Sequence, residues 1–237
     1  MTANPTVVLV HGAFAESASW NDVIDRLQAA GLRTTAVANP LRNLTDDADF
    51  LASLLRAVKD PTLVVGHSYG GAVMTDAAAG VNTVKALVFV AAFAPDQGES
   101  IAELSGKYPG STLGDTLWPV TLADGSTDYY IRPEDYHRQF AADLSARDAA
   151  RNATTQRPLR DAALNGTART PAWRTIPSWF IYPELDRNIP PAVHRFMAER
   201  ARSRETIEVP GASHALPVSQ PAAVSELILR AVTEVVV

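Results

Sequence analysis

The chain has 237 residues, 46% of them hydrophobic, and a formal net charge of -5. That length suffices for one full core, and mild acidity without a lysine or arginine run argues against a nucleic-acid or anionic-membrane partner. The absence of cysteine excludes disulfides, thiolate metal sites and a cysteine nucleophile. No run reaches membrane-spanning length, and the start Met1-Thr2-Ala3-Asn4-Pro5 lacks a basic signal-peptide region. These features predict a soluble, cytoplasmic protein of one domain with an insertion.

In chain order, Thr6 to Val10 reads as a buried strand running into the small-residue loop His11-Gly12-Ala13-Phe14. Ser17 or Ser19 is placed to cap the next helix, whose Trp20, Val23, Ile24 and Leu27 share one face before Gly31 ends it. Arg33 to Ala38 is a second strand. Thr45 is expected to cap a helix with Asp46 and Asp47 in its first turn and Phe50, Leu51, Leu54, Leu55 and Val58 facing inward. The apolar run Thr62 to Val65 enters Gly66-His67-Ser68-Tyr69-Gly70-Gly71, which precedes a helix-forming run from Ala72. Val84 to Ala92 is another buried strand.

From about Asp96 to Ile176 the strand-helix alternation stops, which predicts an inserted cap. Within it, Trp118 to Leu122 and Asp128 to Ile131 flank a loop as a hairpin, a helix starts near Arg132, and four of the six tyrosines (Tyr108, Tyr129, Tyr130, Tyr136) could line a pocket or simply pack. Ser178 to Tyr182 resumes the core, Pro191 suits the first position of the following helix, Glu205 to Val209 is the last strand, and a helix from Pro221 closes the chain. The fold class is α/β: a mostly parallel sheet with helices on both faces, a core of residues 1–95 and 177–237, and a cap of residues 96–176.

The chemistry centres on Ser68. A serine flanked by Gly66 and Gly70 at a strand-to-helix turn fits a nucleophile elbow, with the glycines supplying room and the serine oxygen exposed above the sheet. A serine alcohol needs a histidine to take its proton and a carboxylate to fix that histidine's tautomer. His214, in the loop after the last strand, is the expected base; His137 and His194 read as solvated or packing histidines. Asp186 follows the penultimate strand and gives the order Ser68, Asp186, His214, with Glu184 and Asp96 as alternative acids. The oxyanion donors are expected to be the backbone amides of Tyr69 and Ala13, with Phe14 as the alternative to Ala13. His11 and His67 read as structural histidines bonded to loop backbone. No cofactor or metal cluster is expected.

Val8-Leu9-Val10-His11-Gly12-Ala13 with Trp20, Gly66 to Gly71, Leu185-Asp186, Ser213-His214 and Ser219-Gln220-Pro221 resemble an α/β-hydrolase, of the branch containing plant methyl-ester esterases, hydroxynitrile lyases and small bacterial esterases. The resemblance spans nearly the whole chain and implies a cofactor-free serine hydrolase acting on a small-molecule ester. Lyase members carry a threonine after the oxyanion-loop histidine and a lysine after the catalytic histidine. Gly12 and Ala215 stand there instead, which favours a carboxylesterase. Carbon-carbon bond cleavage, lactone hydrolysis and perhydrolysis at the same site, or non-catalytic binding of a small ligand, remain the alternatives, and a homodimer stays open.

Overall fold

The computed structural model describes residues 5–236. Met1 to Asn4, where the sequence shows no basic signal-peptide region, lie outside them. The first elements are β1 (Thr6–Val10), α1 (Asn21–Ala29), β2 (Arg33–Val37), α2 (Leu44–Ala57), β3 (Thr62–His67), α3 (Tyr69–Ala77) and β4 (Val84–Val90). Next come α4 (Ile101–Ser105), β5 (Leu117–Thr121), β6 (Thr127–Ile131), α5 (Pro133–Phe140), α6 (Ala146–Thr155), β7 (Leu159–Arg160) and α7 (Asp161–Asn165). β8 (Ser178–Pro183), α8 (Pro191–Arg200), β9 (Glu205–Val209), α9 (Leu216–Ser219) and α10 (Pro221–Val236) follow.

Six strands form one sheet in the order β2-β1-β3-β4-β8-β9, with every pairing parallel. A parallel sheet needs cover on both faces, and period-two alternation supplies it. Val7 and Leu9 of β1 join a core with α1 and α10, whereas Val8 and Val10 join one with α2, α3 and α8. β5, β6 and β7 make a separate three-stranded antiparallel sheet, so the predicted hairpin is present.

Several local expectations shift. Neither Ser17 nor Ser19 caps α1, because a 3-10 turn, Ser17–Trp20, leads directly into it. α2 starts earlier than expected: Asn43 is its N-cap and accepts from the Asp46 amide at 2.8 Å, which leaves Thr45 inside the helix. Phe50 is exposed, while Asp47 is fully buried and accepts the Tyr69 hydroxyl at 2.8 Å. Phe50 lies off the buried face, which Leu44, Asp47, Ala48, Leu51, Ala52 and Leu55 form.

The segment between α7 and β8 is anchored on α3. The buried Asp76 carboxylate accepts from the Arg169 amide (2.9 Å), the Thr170 amide (2.8 Å) and Arg169 Nε (3.2 Å). Removing it orphans two backbone donors, so Asp76→Ala is expected to lower the unfolding free energy by about 2–4 kcal/mol. Asp49, the exposed second partner of Arg169, should matter by less than about 0.5 kcal/mol. Urea denaturation of the two variants checks the contrast.

Candidate active site

β3 ends at His67 and α3 begins at Tyr69, so the whole reversal falls on Ser68, whose φ is 53° and ψ -122°. A serine tolerates this strained region only where its surroundings impose it. A Cβ on Gly66 would lie 2.7 Å from backbone atoms of Gly71, and one on Gly12 would lie 2.5 Å from Ser68 Cβ. The Ser68 amide donates to the Val90 carbonyl (3.3 Å) and its carbonyl accepts from Phe93 (3.1 Å), which ties the turn to the end of β4.

Asp186, in the loop after β8, is buried and has four donors around it. Oδ1 accepts the Asn188 and Ile189 amides at 2.8 and 3.0 Å, and Oδ2 meets His214 Nδ1 at 2.8 Å and His194 Nε2 at 3.0 Å. Burial alone would raise its pKa, but the charge of His214 and the hydrogen bonds from His194 and His214 outweigh it and hold the carboxyl well below its ordinary range. An ionised Asp186 favours the His214 tautomer that carries its proton on Nδ1, facing the carboxylate.

Ser68 and His214 line one narrow cavity of about 40 Å³, together with Ala13, Phe14 and Tyr69. Glu184 is exposed and accepts the Gly211 amide at 2.8 Å, and Asp96 pairs with Arg174 at 2.6 Å, so both alternative acids are engaged elsewhere. The Tyr69 amide sits at the N-terminus of α3, where no intrahelical acceptor exists. The Phe14 amide donates to the Arg157 carbonyl at 2.9 Å, whereas Ala13 remains on the cavity wall. Phe14 itself takes a φ of 59°, and its carbonyl accepts the Tyr136 hydroxyl at 2.8 Å.

His194 is not the solvated or simply packed histidine expected from sequence: it is buried against the acid, and its ring stacks on Tyr182 at 5.2 Å. Sequence spacing carries no signal for this, because the loop between Asp186 and α8 sets the approach. Among Tyr108, Tyr129, Tyr130 and Tyr136, none lines the cavity beside Ser68. His137 Nε2 bonds the Leu144 carbonyl at 3.0 Å within the insertion. Among the described residues no group of His, Asp and Glu side chains is arranged to hold a metal, and no helix is long and apolar enough to cross a membrane.

His11 and His67 hold the loops. His11 Nδ1 bonds the Gly12 carbonyl at 2.8 Å and its Nε2 accepts the Asn39 amide at 3.1 Å; His67 Nε2 bonds the His214 carbonyl at 3.0 Å. Burial, the largest cause for each, lowers the pKa to about 4 for His11 and about 3 for His67.

The chain belongs to the alpha/beta hydrolase family, which residues 7–227 match. Within that family it resembles the plant methylesterases. It is 26% identical to salicylic acid-binding protein 2 of Nicotiana tabacum, over 90% of this chain and 92% of that protein. Methylesterase 3 of Arabidopsis thaliana is also 26% identical, over 94% of each chain. Among solved structures, polyneuridine aldehyde esterase superposes with a TM-score of 0.81 at 20% identity, covering 96% of this chain and 99% of the other.

The buried histidines set a pH dependence of stability. Unfolded histidine titrates near 6.5, whereas folded His67 and His11 resist protonation down to about 3 and about 4. Between these limits the unfolded chain binds more protons, so stability present at neutral pH is lost as pH falls through that window. The urea midpoint should therefore drop between about pH 6.5 and 4.5, and His67→Gln should flatten that slope whatever it does to the midpoint itself. An unchanged slope in the variant means that His67 is already protonated in the folded state.

Proposed function

We propose that this chain is a serine carboxylesterase working through Ser68, His214 and Asp186, with an acyl-enzyme intermediate. The observation that carries the reading is the 2.8 Å bond between Asp186 Oδ2 and His214 Nδ1, made by a histidine that shares a cavity with the strained Ser68. His214 Nε2 takes the Ser68 proton as Oγ attacks the ester carbonyl. The tetrahedral oxyanion is received by the amides of Ala13 and Tyr69, and the imidazolium returns its proton to the departing alkoxide. Water, deprotonated by the same nitrogen, then releases the acid.

The esterase names among the relatives support this chemistry. Residues 1–95 and 177–237 form the hydrolase core in this reading, and residues 96–176 cap the site, with Tyr136 and Arg157 clamping Phe14 beside the oxyanion donors. No lysine or arginine lines the cavity, and Ala215 follows the base. No fixed cation is therefore present to stabilise a leaving cyanide, which favours hydrolysis over cyanohydrin cleavage.

Ser68→Ala is expected to abolish turnover of short aryl esters and covalent labelling by a fluorophosphonate. Asp186→Asn should lower kcat by about 10⁴-fold with the fold retained, because the wrong tautomer of His214 would face Ser68. Labelling that persists at another residue in Ser68→Ala, or full activity in Asp186→Asn, would overturn the assignment.

A further inference from the structure

The cavity at Ser68 is bordered by a polar residue that the reaction sequence above does not use. Asn188 lies on its wall and is 3% exposed. The orientation of its amide follows from its partners. Gln139 Nε2 lies 2.9 Å from the Arg187 carbonyl, which can only accept, so that end of Gln139 is the NH2 group. The same nitrogen lies 2.9 Å from Asn188 Oδ1, which must then be the oxygen. Thr112 Oγ1, bound to Gln139 Oε1 at 2.9 Å, completes a consistent set.

Every other polar atom of Asn188 is occupied. Its amide donates to Asp186 Oδ1 at 2.8 Å, and its carbonyl accepts from Ser111 at 3.0 Å and Ser105 at 3.4 Å. Nδ2 alone is left over, buried and without an acceptor among the described residues. A buried amide donor without a partner is costly, and folded proteins seldom keep one.

The surroundings narrow what could pair with it. The walls are largely apolar, with Phe14, Phe93, Ile101, Leu113, Leu159 and Leu164. Lysine and arginine are absent from the cavity-lining residues, so a carboxylate brought there would have no counter-charge, whereas a neutral oxygen needs none. The backbone bond from Asn188 to Asp186 places this donor on the loop that orients His214.

We propose that Asn188 is a specificity-determining residue whose Nδ2 donates to a neutral ether, hydroxyl or carbonyl oxygen of the substrate, separate from the scissile ester group. The proposal rests on the esterase reading and narrows the substrates to compact, uncharged esters carrying a further oxygen. A site built around such a donor discriminates against the analogue that leaves it unpaired.

The test compares esters in which an ether oxygen replaces a methylene: p-nitrophenyl methoxyacetate against the butanoate, p-nitrophenyl methoxypropanoate against the pentanoate, and methoxyethyl acetate against butyl acetate. In wild type, at least one ether-to-alkyl ratio of kcat/KM, divided by the same ratio for hydroxide attack, should exceed about fivefold. Asn188→Leu and Asn188→Ala should each lower that ratio by about tenfold. Each ratio is internal to one enzyme, so a general loss of activity cancels. The wild-type ratio tests the proposal even if neither variant folds. A wild type labelled by fluorophosphonate at Ser68 and active on the alkyl esters, but without an ether preference or with one unmoved in the variants, overturns the Asn188 proposal alone. A wild type neither labelled nor active on any of the six esters overturns the esterase reading, and this proposal with it.

Discussion

The site depends first on how closely backbone packs around Ser68. Its positive φ is unfavourable for a residue with a Cβ and persists because neighbouring chain leaves no roomier alternative. Gly66 passes beside Gly71 within the turn, and Gly12 passes beside Ser68 itself. These approaches draw the ends of β1, β3 and β4 to one point. The serine oxygen, the Tyr69 amide at the start of α3 and the loop through Ala13 all border one cavity as a result. A side chain at Gly12 would disturb the serine before it disturbed any core residue.

The second constraint is a buried charge. Taking the Asp186 carboxylate out of water is expensive, and four donors compensate it. Two are amides of its own loop, one comes from α8, and one comes from the loop after β9. The carboxylate is thereby held in one orientation by its four donors. Its two histidine partners differ in what they face: His214 borders the cavity and His194 does not. Sharing one carboxylate oxygen, they divide the labour of keeping it ionised.

The segment between β4 and β8 contacts the loops around Ser68 and His214. The Tyr136 hydroxyl and the Arg157 carbonyl hold Phe14 from its two sides, and the Arg42–Asp128 ion pair at 2.8 Å ties the second sheet to the loop before α2. Phe140 packs edge-on against His214 at 4.9 Å, and its carbonyl accepts the Ala215 amide at 3.0 Å. Gln139, one residue earlier on α5, sets the Asn188 amide. α5 therefore touches His214, Asn188 on the loop after β8 and, through Tyr136, Phe14.

Much of this was legible from residues alone, for physical reasons. Parallel strands buried on both faces read as short apolar runs, and a GxSxG at a strand-to-helix junction needs only local spacing to be recognised. Chain order then pointed to Asp186 and His214, because loops at one edge of a parallel sheet converge whatever their separation in sequence. By contrast, the neighbours of Asp186 and Asn188 were hidden. His194 meets Asp186 across the bend at Asn188 to Pro190, Gln139 meets Asn188 across 49 residues of chain, and the buried face of α2 includes Asp47 and leaves out Phe50. Sequence by itself determined the fold and placed Ser68 at a strand-to-helix turn, since those follow from periodicity and local turn chemistry. Only the tertiary structure decided which polar atoms meet and that Asn188 Nδ2, among others, is left without a partner, because such pairings depend on distances between segments that no local pattern encodes.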